Sequence, residues 1–493
     1  MIPYADFTFF GLLLYAVVPT LILGLFGRAG WRWTVFVTAA MLVVQYHGLL
    51  TIRSGLAVRE LWIVIGFAVW QWAIVRLFAS GGAPGGSFFY GSVAASLLPL
   101  VAAKVLPVIR PGSQFGFLGI SYVTFRALDL VFCLRDRVIA LPGLLDFFGF
   151  LFFFPAISAG PIDRYRRFAT DWRRRRSRAE FLADLDAAVH RIFRGFLYKF
   201  IIAALIKQYW LERAASSGHF RALVSYMYAY SFYLFFDFAG YSAFAIGLSY
   251  LFGIHTPENF ERPFLARNIR DFWNRWHITL SFWFRDHVYM RFLLAATRGQ
   301  WFRGKHTAPI LGYFLAFGLM GLWHGIEPHY IFYGLYQATL LSGFHVFSTV
   351  KGPRLERRDG LLWRTASVLI TFQFVCIGLL IFSGRIGAPP LPHHLSDIDG
   401  ADCYEMFGWV WDKHRPNGAV DVELWDGDRY ILRFTADEFR QDLLDAGYGN
   451  GQHGFHLWTP SVLTDGRPHT VHLRIAGTRV ELTSSPKVLV CPK

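Results

Sequence analysis

The chain has 493 residues, of which 54% are apolar and 18% aromatic, while only 17% carry a charge. Soluble domains carry about 25% charged residues, and no single soluble core buries this much apolar surface, so the composition predicts a bilayer as the solvent. The formal net charge of +15 does not indicate a nucleic-acid partner, because the basic residues cluster between apolar stretches, at 163–178 and 351–358, as they do in cytoplasmic loops.

A membrane-spanning helix needs about 20 mostly apolar residues, and about eleven stretches of the chain approach that length. In chain order they are Phe7–Phe26, Trp33–Leu50, Leu61–Phe78, Phe88–Pro107, Phe115–Leu134, Leu144–Gly160, Ile192–Trp210, Val224–Phe252, Ile310–Trp323, Tyr330–Phe347 and Leu362–Phe382. They predict an all-α polytopic membrane protein of about eleven transmembrane helices, with re-entrant or interfacial helices beside them. The first stretch has no basic region before it, so we expect a retained span and not a signal peptide.

Two of these stretches are predicted to be interrupted. The stretch 144–160 ends in Ala156-Ile-Ser-Ala-Gly-Pro161, and the long stretch 224–252 contains Asp237 and Gly240. Broken helices at membrane depth are tolerated where protein or a wet cavity covers them, so the breaks favour a cavity; a kink without a functional role is an equal alternative. Asp237 should face the interior, either in a functional site or in a structural ion pair with an arginine such as Arg270.

The composition changes after Phe382, where residues rich in Asp, Arg, Gly and His replace the apolar spans. Turn signals at Asp426-Gly427 and Ala476-Gly477 predict hairpins within 421–434 and 469–482. Residues 436–446 predict one short helix. The sequence therefore predicts a membrane domain of residues 1–383 and a small soluble, β-rich domain of residues 384–493, joined through the Pro-rich segment 388–392.

The segment from Arg270 to Arg285 repeats polar residues at helical spacing. At about 100° per residue, five side chains share one narrow stripe of a single helix: Arg270, Asn274, His277, Ser281 and Arg285. Aromatic residues cover its other faces. Such a stripe lines a water-filled funnel or, with equal weight, belongs to a helix that lies flat at the membrane surface.

A second motif, Gly321-Leu-Trp-His-Gly325, ends the apolar run that starts at Ile310. An ionisable residue at this depth is a functional candidate by default, with a hydrogen bond to a neighbouring carbonyl as the simpler alternative. The glycines favour close helix packing. A buried, neutral imidazole suits removal of a proton from a hydroxyl that attacks an acyl group, so His324 is a candidate base. His277 with Asn274 would orient this base or the developing oxyanion if the two segments meet.

Four stretches together resemble the membrane-bound O-acyltransferase (MBOAT) family, and among its members those that transfer D-alanine. They are Ser158–Asp163, Phe236–Ser242, Arg270–Arg291 and Gly321–Gly325, in one order along nearly all of residues 1–383. The resemblance implies a ring of membrane helices around a funnel, with His324 as the central catalytic histidine and His277 as the second. It implies a supporting role in the funnel for the residues around them: Asn274, Trp276, Ser281, Arg285, Asp237, Arg270 and Trp323.

The resemblance also implies a reaction, in which D-alanine is transferred across the cell membrane to a hydroxyl of an envelope polymer or lipid. The donor is a thioester on the phosphopantetheine arm of a small acidic carrier protein, so no permanently bound cofactor and no metal is expected. A second membrane-anchored transfer protein is a further implied partner. Residues 384–493 are additional to the family pattern and leave the acceptor open between a teichoic acid and another glycan or lipid.

Two other functions stay open at this stage: O-acetylation of an exported polysaccharide by the same superfamily, and a non-enzymatic transporter or scaffold. The arginine run Arg173–Arg176 with Arg178 is explained by topology, or by docking of an acidic carrier protein at the cytoplasmic face.

The side of the membrane that the C-terminal domain occupies depends on the number of spans. The basic clusters at 173–178 and 351–358 are both cytoplasmic only if an even number of spans separates them. The number of spans between the clusters is four if the stretch 224–252 crosses the membrane once, and five if it crosses twice. Four spans would place residues 384–493 outside. Outside, Cys403 and Cys491 would form a disulfide, and inside they would stay thiols. The family resemblance implies an outside N-terminus and an inside C-terminus, which we take as the expectation.

Overall fold

The structure is a computed structural model that describes residues 3–5, 7–28, 30–47, 56–81, 86–110, 115–216, 219–355, 360–386, 394–413, 415–478 and 480–491. The chain forms two compact units, one of residues 1–212 and 224–388 and the other of residues 213–223 and 389–493. The predicted linker at 388–392 and part of the basic cluster at 351–358 lie outside the described residues.

The chain is helical as far as Phe382. In chain order the helices are α1 Phe7–Leu25, α2 Trp31–His47, α3 Leu56–Ser80, α4 Gly86–Ile109, α5 Ile120–Arg135, α6 Leu144–Leu151, α7 Tyr165–Trp172, α8 Arg178–Phe196, α9 Ala204–Ile206, α10 Glu212–Ala215, α11 Phe220–Leu251, α12 Ile269–Trp273, α13 Ile278–Phe284, α14 Met290–Arg298, α15 Thr307–His324, α16 Pro328–Leu355 and α17 Leu361–Phe382. Wider π-helical turns occupy Leu197–Ala203, Lys207–Leu211 and Arg285–Tyr289, and short 3-10 turns occupy Phe154–Ala156 and Pro263–Leu265.

Within the described residues, six helices are long and apolar enough to cross a membrane. They are α1, residues 60–80 of α3, α4, α11, α15 and α17. Two other predicted spans fall just short of this length, since α2 has 17 residues and α5 has 16. The mostly helical, polytopic character of the protein is therefore confirmed, and the number of about eleven spans stays a prediction.

The predicted span 144–160 is not one helix, and its break comes earlier than expected. Helix α6 ends at Leu151, and Pro155 begins to turn the chain four residues later. In an α-helix the carbonyl oxygen of Leu151 would accept a hydrogen bond from the backbone N–H of residue 155. Proline has no backbone N–H, so this bond cannot form. The Arg126 side chain on α5 supplies the donor instead, since its Nη1 lies 3.3 Å from that carbonyl oxygen.

The predicted interruption of 224–252 is wrong, because α11 is one continuous helix of 32 residues. Gly240 allows close packing where a break was expected: a Cβ at this position would lie 2.8 Å from the backbone nitrogen of Lys199. Asp237 does not disturb the helix either, because its carboxylate accepts a hydrogen bond from Lys199 Nζ at 2.5 Å.

The C-terminal unit is β-rich, as predicted. Its strands are β1 His394–Ala401, β2 Glu405–Asp412, β3 Val420–Asp426, β4 Arg429–Ala436, β5 Glu438–Phe439, β6 Gln452–Trp458, β7 Pro468–Ile475 and β8 Lys487–Val490. They form two four-stranded sheets, with orders β1-β2-β6-β5 and β4-β3-β7-β8. Buried residues alternate along β2, β3 and β7, as expected for strands with one face on a core.

Both predicted hairpin turns are confirmed. Gly427 has a φ of +56° between the paired strands β3 and β4, and Gly477 has a φ of +73° where the chain reverses after β7. The predicted helix 436–446 is shorter than expected: Glu438–Phe439 is a strand, and only Gln441–Asp445 is helical (α18). Cys403 and Cys491 are joined as a disulfide, with Cα atoms 5.3 Å apart.

Candidate active site

His324 is the last residue of α15, and a close crossing of α15 with α16 fixes its position. A Cβ on Gly321 would lie 2.5 Å from the carbonyl oxygen of Tyr330, and one on Gly334 would overlap the carbonyl of Phe317. Only glycines let the two backbones approach so closely. The packing interpretation of Gly321 is thus confirmed, and it places the α15 terminus against the first turn of α16.

Aromatic rings surround the His324 imidazole. The ring centroid of Trp323 lies 4.5 Å away, that of Phe382 4.8 Å and that of Tyr330 6.0 Å. Phe382 is the last residue of α17, so three helices meet at this imidazole. The contacts hold the ring in an apolar setting.

The single helix predicted from Arg270 to Arg285 is wrong. Helix α12 ends at Trp273, and α13 begins at Ile278 after a turn in which His277 takes the left-handed conformation, with φ +43° and ψ +51°. Buried Asn259 supports this turn. Its carbonyl oxygen accepts from Ile278 N at 3.0 Å, and its side-chain oxygen accepts from Thr279 Oγ1 at 2.6 Å.

This turn sends His277 to a different face from the other members of the predicted stripe. Its side chain is buried, with 4% of its surface exposed, and the ring packs edge-on against Phe238 at 4.7 Å. Left-handed backbone is uncommon for residues other than glycine and asparagine, and strained positions of this kind cluster at functional sites. The predicted single helix would have put His277 on the same stripe as Arg270 and Arg285. The turn at His277 separates it from these two arginines.

His277 and His324 line one cavity of about 170 Å³, called the histidine cavity here. The predicted residues Trp276 and Trp323 line it too. Its other walls are mostly apolar or aromatic: Tyr122, Leu234, Phe238, Trp273, Leu280, Met320, Tyr333, Leu379 and Phe382. The two segments singled out in the sequence therefore meet in space, as the candidate chemistry requires.

Four other predicted residues line a second cavity, of about 320 Å³, called the arginine cavity here. They are Arg270, Asn274, Ser281 and Arg285. Trp273 and Met320, both buried, belong to the walls of both cavities and so form the partition between them. Asn274 lines the arginine cavity and His277 lines the other, so the structure does not bring these two residues together on one cavity, and the joint role expected for them stays a prediction.

Two polar atoms in the histidine cavity lack a hydrogen-bond partner among the residues that the structure describes. They are Nε2 of His277 and Nε1 of Trp323. A buried donor or acceptor without a partner costs about 1–3 kcal/mol, so most native structures avoid one. Both atoms belong to side chains that line one small cavity, so a polar group bound there is a candidate partner for them.

Comparison with known proteins identifies the family of this chain, and so the kind of polar group that the histidine cavity would bind. The family model described as "MBOAT, membrane-bound O-acyltransferase family" matches residues 2–382.

The chain belongs to the membrane-bound O-acyltransferase family. It is 41% identical over 412 residues to the teichoic acid D-alanyltransferase of Bacillus subtilis (strain 168), covering 80% of this chain and all of that protein. It is 35% identical over 400 residues to the teichoic acid D-alanyltransferase of Lacticaseibacillus rhamnosus, covering 78% of this chain and 97% of that protein. The probable alginate O-acetylase AlgI of Pseudomonas aeruginosa is 32% identical over 274 residues, or 54% of this chain and 48% of that protein. The protein is therefore an O-acyltransferase, and this excludes the alternative of a non-enzymatic transporter or scaffold.

In this acyltransferase, Asp237 pairs with Lys199 and not with Arg270, which was the expected kind of partner. Arg270 instead lies with its guanidinium over the ring of Phe344, 5.4 Å from the centroid. Asp237 and Arg270, which were expected to pair, therefore have different partners. Asp237 joins α11 to the π-helical turn 197–203, and neither cavity includes it.

The arginine run of the acyltransferase is partly structural. Arg176 is almost fully buried, and its guanidinium donates to Asp184 and to the carbonyl oxygens of Tyr250 and Leu251, each at 2.8 Å. The other paired members are Arg173 with Asp146 and Arg174 with Glu180. Arg175 and Arg178 are exposed, and no ion-pair partner is found for them among the described residues. Topology and fold therefore explain most of the run.

Two charged residues within the predicted spans were missed from the sequence. Lys104 lies in the apolar helix α4, and its Nζ is 3.4 Å from the carbonyl oxygen of His324. Arg126 lies fully buried in α5. A charged residue inside an apolar span is a signal that a sequence does carry, and it would have singled out both. Their partners lie far away in the sequence and are invisible to any local pattern.

Proposed function

We propose that this acyltransferase moves a D-alanyl group from the thioester of a small acidic carrier protein to a hydroxyl of a teichoic-acid-type polymer at the cell membrane. The observation that carries the proposal is the meeting of His277 and His324 on one small cavity. Support for D-alanine as the acyl group comes from the relatives, which are named for D-alanyl transfer to teichoic acid.

The arginine cavity suits the donor. Arg270, Asn274 and Arg285 are exposed at its wall, whereas Trp273 and Met320 are buried at the partition. Guanidinium groups pair well with phosphate, so the exposed arginines would bind the phosphodiester of a phosphopantetheine arm. The uncharged part of the arm would then pass between apolar walls toward the partition. Arg175 and Arg178 remain as candidate contacts for the carrier protein itself.

The histidine cavity suits the acyl transfer step. His324 takes the proton of the acceptor hydroxyl as the oxygen attacks the thioester carbonyl carbon. A carbon–oxygen bond forms and the carbon–sulfur bond breaks. The proton then passes from His324 to the departing thiolate, which leaves a D-alanyl ester and a free thiol. The partition must open for donor and acceptor to meet, and Met320, with its flexible side chain, is suited to such a movement.

A second function has an observation of its own. The acetylase relatives match the chain at about one-third identity over half its length, so the same cavity would serve an acetyl group transferred to an exported polysaccharide. The acid released from the envelope by mild base separates the two proposals. Alanine supports the first function, and acetate supports the second.

The first prediction concerns His324→Ala. In cells that depend on this protein, we expect the variant to lose ester-linked D-alanine to the background level, because no base remains to take the hydroxyl proton. Mass analysis of the released acid measures the loss, and quantified protein in the membrane fraction shows that the variant folds.

His190→Ala is the matched control, since it also removes an imidazole but lies exposed on α8, bonded to the carbonyl of Asp186. We expect the control to keep the wild-type ester content. Wild-type ester content in the His324→Ala variant would show that this imidazole is not the base.

A further inference from the structure

The indole of Trp323 differs from those of three other buried tryptophans. Three other buried indoles find acceptors: Trp172 donates to Asp146 at 2.9 Å, Trp273 to Gln337 at 3.2 Å and Trp283 to the carbonyl of Phe125 at 3.1 Å. The Nε1 of Trp323 is equally buried, yet it has no acceptor among the described residues. The fold thus gives each of these three indoles an acceptor and gives Trp323 none among the described residues.

The free donor lies beside the proposed base. Trp323 lines the histidine cavity next to His324, with the two ring centroids 4.5 Å apart. Two further aromatic rings contact the indole, with centroids at 5.5 Å for Phe125 and 5.9 Å for Tyr122. A donor held in this way needs little reorganisation when a charge develops near it.

We propose that the Trp323 indole N–H is the oxyanion donor of the acyl transfer step, a catalytic role that rests on the proposed function. As the acceptor oxygen attacks, the carbonyl π electrons move onto the carbonyl oxygen, and Trp323 Nε1–H donates a hydrogen bond to that oxygen. When the electrons return, the carbon–sulfur bond breaks and the thiolate takes the proton held by His324. The indole donates throughout and neither gains nor loses a proton.

The chemistry of an indole suits this role, and Trp323 is the cavity tryptophan that adjoins His324 in the chain. Indole is a neutral donor with no acceptor atom, so it neither competes for the hydroxyl proton nor places a charge in an apolar cavity. A hydrogen bond to an oxyanion in such a setting is worth more than one to a neutral carbonyl. The Trp323 contact therefore favours the transition state over the bound thioester.

Steady-state kinetics of Trp323→Phe test the proposal. The purified full-length protein in lipid nanodiscs is given D-alanyl pantetheine thioester and a glycerol phosphate polymer. We expect kcat to fall by about 10²–10³, the usual loss for one oxyanion donor, while KM for the thioester changes by less than about threefold. Because phenylalanine is smaller, Trp323→3-benzothienylalanine is a second variant, which keeps the ring shape and replaces only N–H by sulfur.

Trp283→Phe is the matched control, since it removes another buried indole N–H from the same aromatic cluster but does not line either cavity. We expect it to lower the melting temperature and to keep kcat. A kcat within threefold of wild type in the benzothienyl variant overturns the role of Trp323. A wild-type protein that does not transfer D-alanine at all overturns the proposed function, so the two failures are distinguishable.

Discussion

At the scale of single residues, Arg126 shows how one side chain stabilises a break in the backbone. Its guanidinium is buried and donates to the carbonyl oxygens of Ala156 at 2.6 Å and Leu151 at 3.3 Å. These carbonyls belong to the segment where Pro155 ends α6, so they lack their helical donors. A charged donor is suited to this place, because it can satisfy more than one carbonyl at once.

We predict that Arg126→Met lowers the free energy of unfolding by about 2–4 kcal/mol, because the freed carbonyls would lose charge-assisted hydrogen bonds in a buried setting. The melting temperature of the detergent-purified protein measures the effect. Arg298→Met, an exposed change at the end of α14, is the control and should leave the melting temperature unchanged. Equal melting temperatures for both variants would mean that the Arg126 bonds contribute no net stability.

At the scale of elements, the crossing of α15 and α16 places the catalytic candidates. Gly321 faces the backbone of α16, whereas Gly318 on the same helix has open space around it. The pair offers a comparison in which helix propensity changes equally and only the packing differs.

We predict that Gly321→Ala lowers the free energy of unfolding by about 1–3 kcal/mol and reduces acyl transfer, because the added methyl forces the two helices apart and shifts His324. Gly318→Ala should keep or slightly raise stability, since alanine favours a helix. Melting temperature and transfer rate, measured together, test this prediction. Wild-type behaviour of Gly321→Ala would indicate that the crossing is looser than described.

Sequence patterns predicted the elements whose signals are local. The hairpin turns at Gly427 and Gly477 need left-handed backbone, which glycine signals directly. The turn at His277 needs the same backbone without a glycine, and it depends on Asn259, a contact no helical pattern reveals. Gly240 was taken for a helix break because its effect depends on Lys199, which lies on another element. Several of the residues that line the two cavities could be named from the sequence as candidates, whereas their division between two cavities could not.

At the scale of the whole molecule, the course of α11 bears on topology. Because α11 is unbroken, we expect it to cross the membrane once, which makes four the predicted number of spans between the basic clusters at 173–178 and 351–358. With both clusters in the cytoplasm, α17 leads the chain outward. The contact between Phe382 and His324 places the end of α17 beside the end of α15, so we expect both helices to end on the same side.

We therefore expect the C-terminal unit outside the cytoplasm, against the inside C-terminus that the family resemblance implied. The disulfide between Cys403 and Cys491 fits an oxidising compartment. In a Cys133→Ser, Cys376→Ser background, a membrane-impermeant maleimide added to intact, mildly reduced cells should label the protein. Labelling only after permeabilisation would place the unit inside.

Acyl transfer by this protein requires that His324 and His277 form one site that a donor and an acceptor both reach. Reconstituted liposomes test it most directly, with a carrier protein bearing radiolabelled D-alanine on one side and a glycerol phosphate polymer on the other. We predict that label reaches the polymer with the wild-type protein and not with His324→Ala, while the donor thioester stays intact in the variant. Transfer at the wild-type rate by His324→Ala would contradict the account.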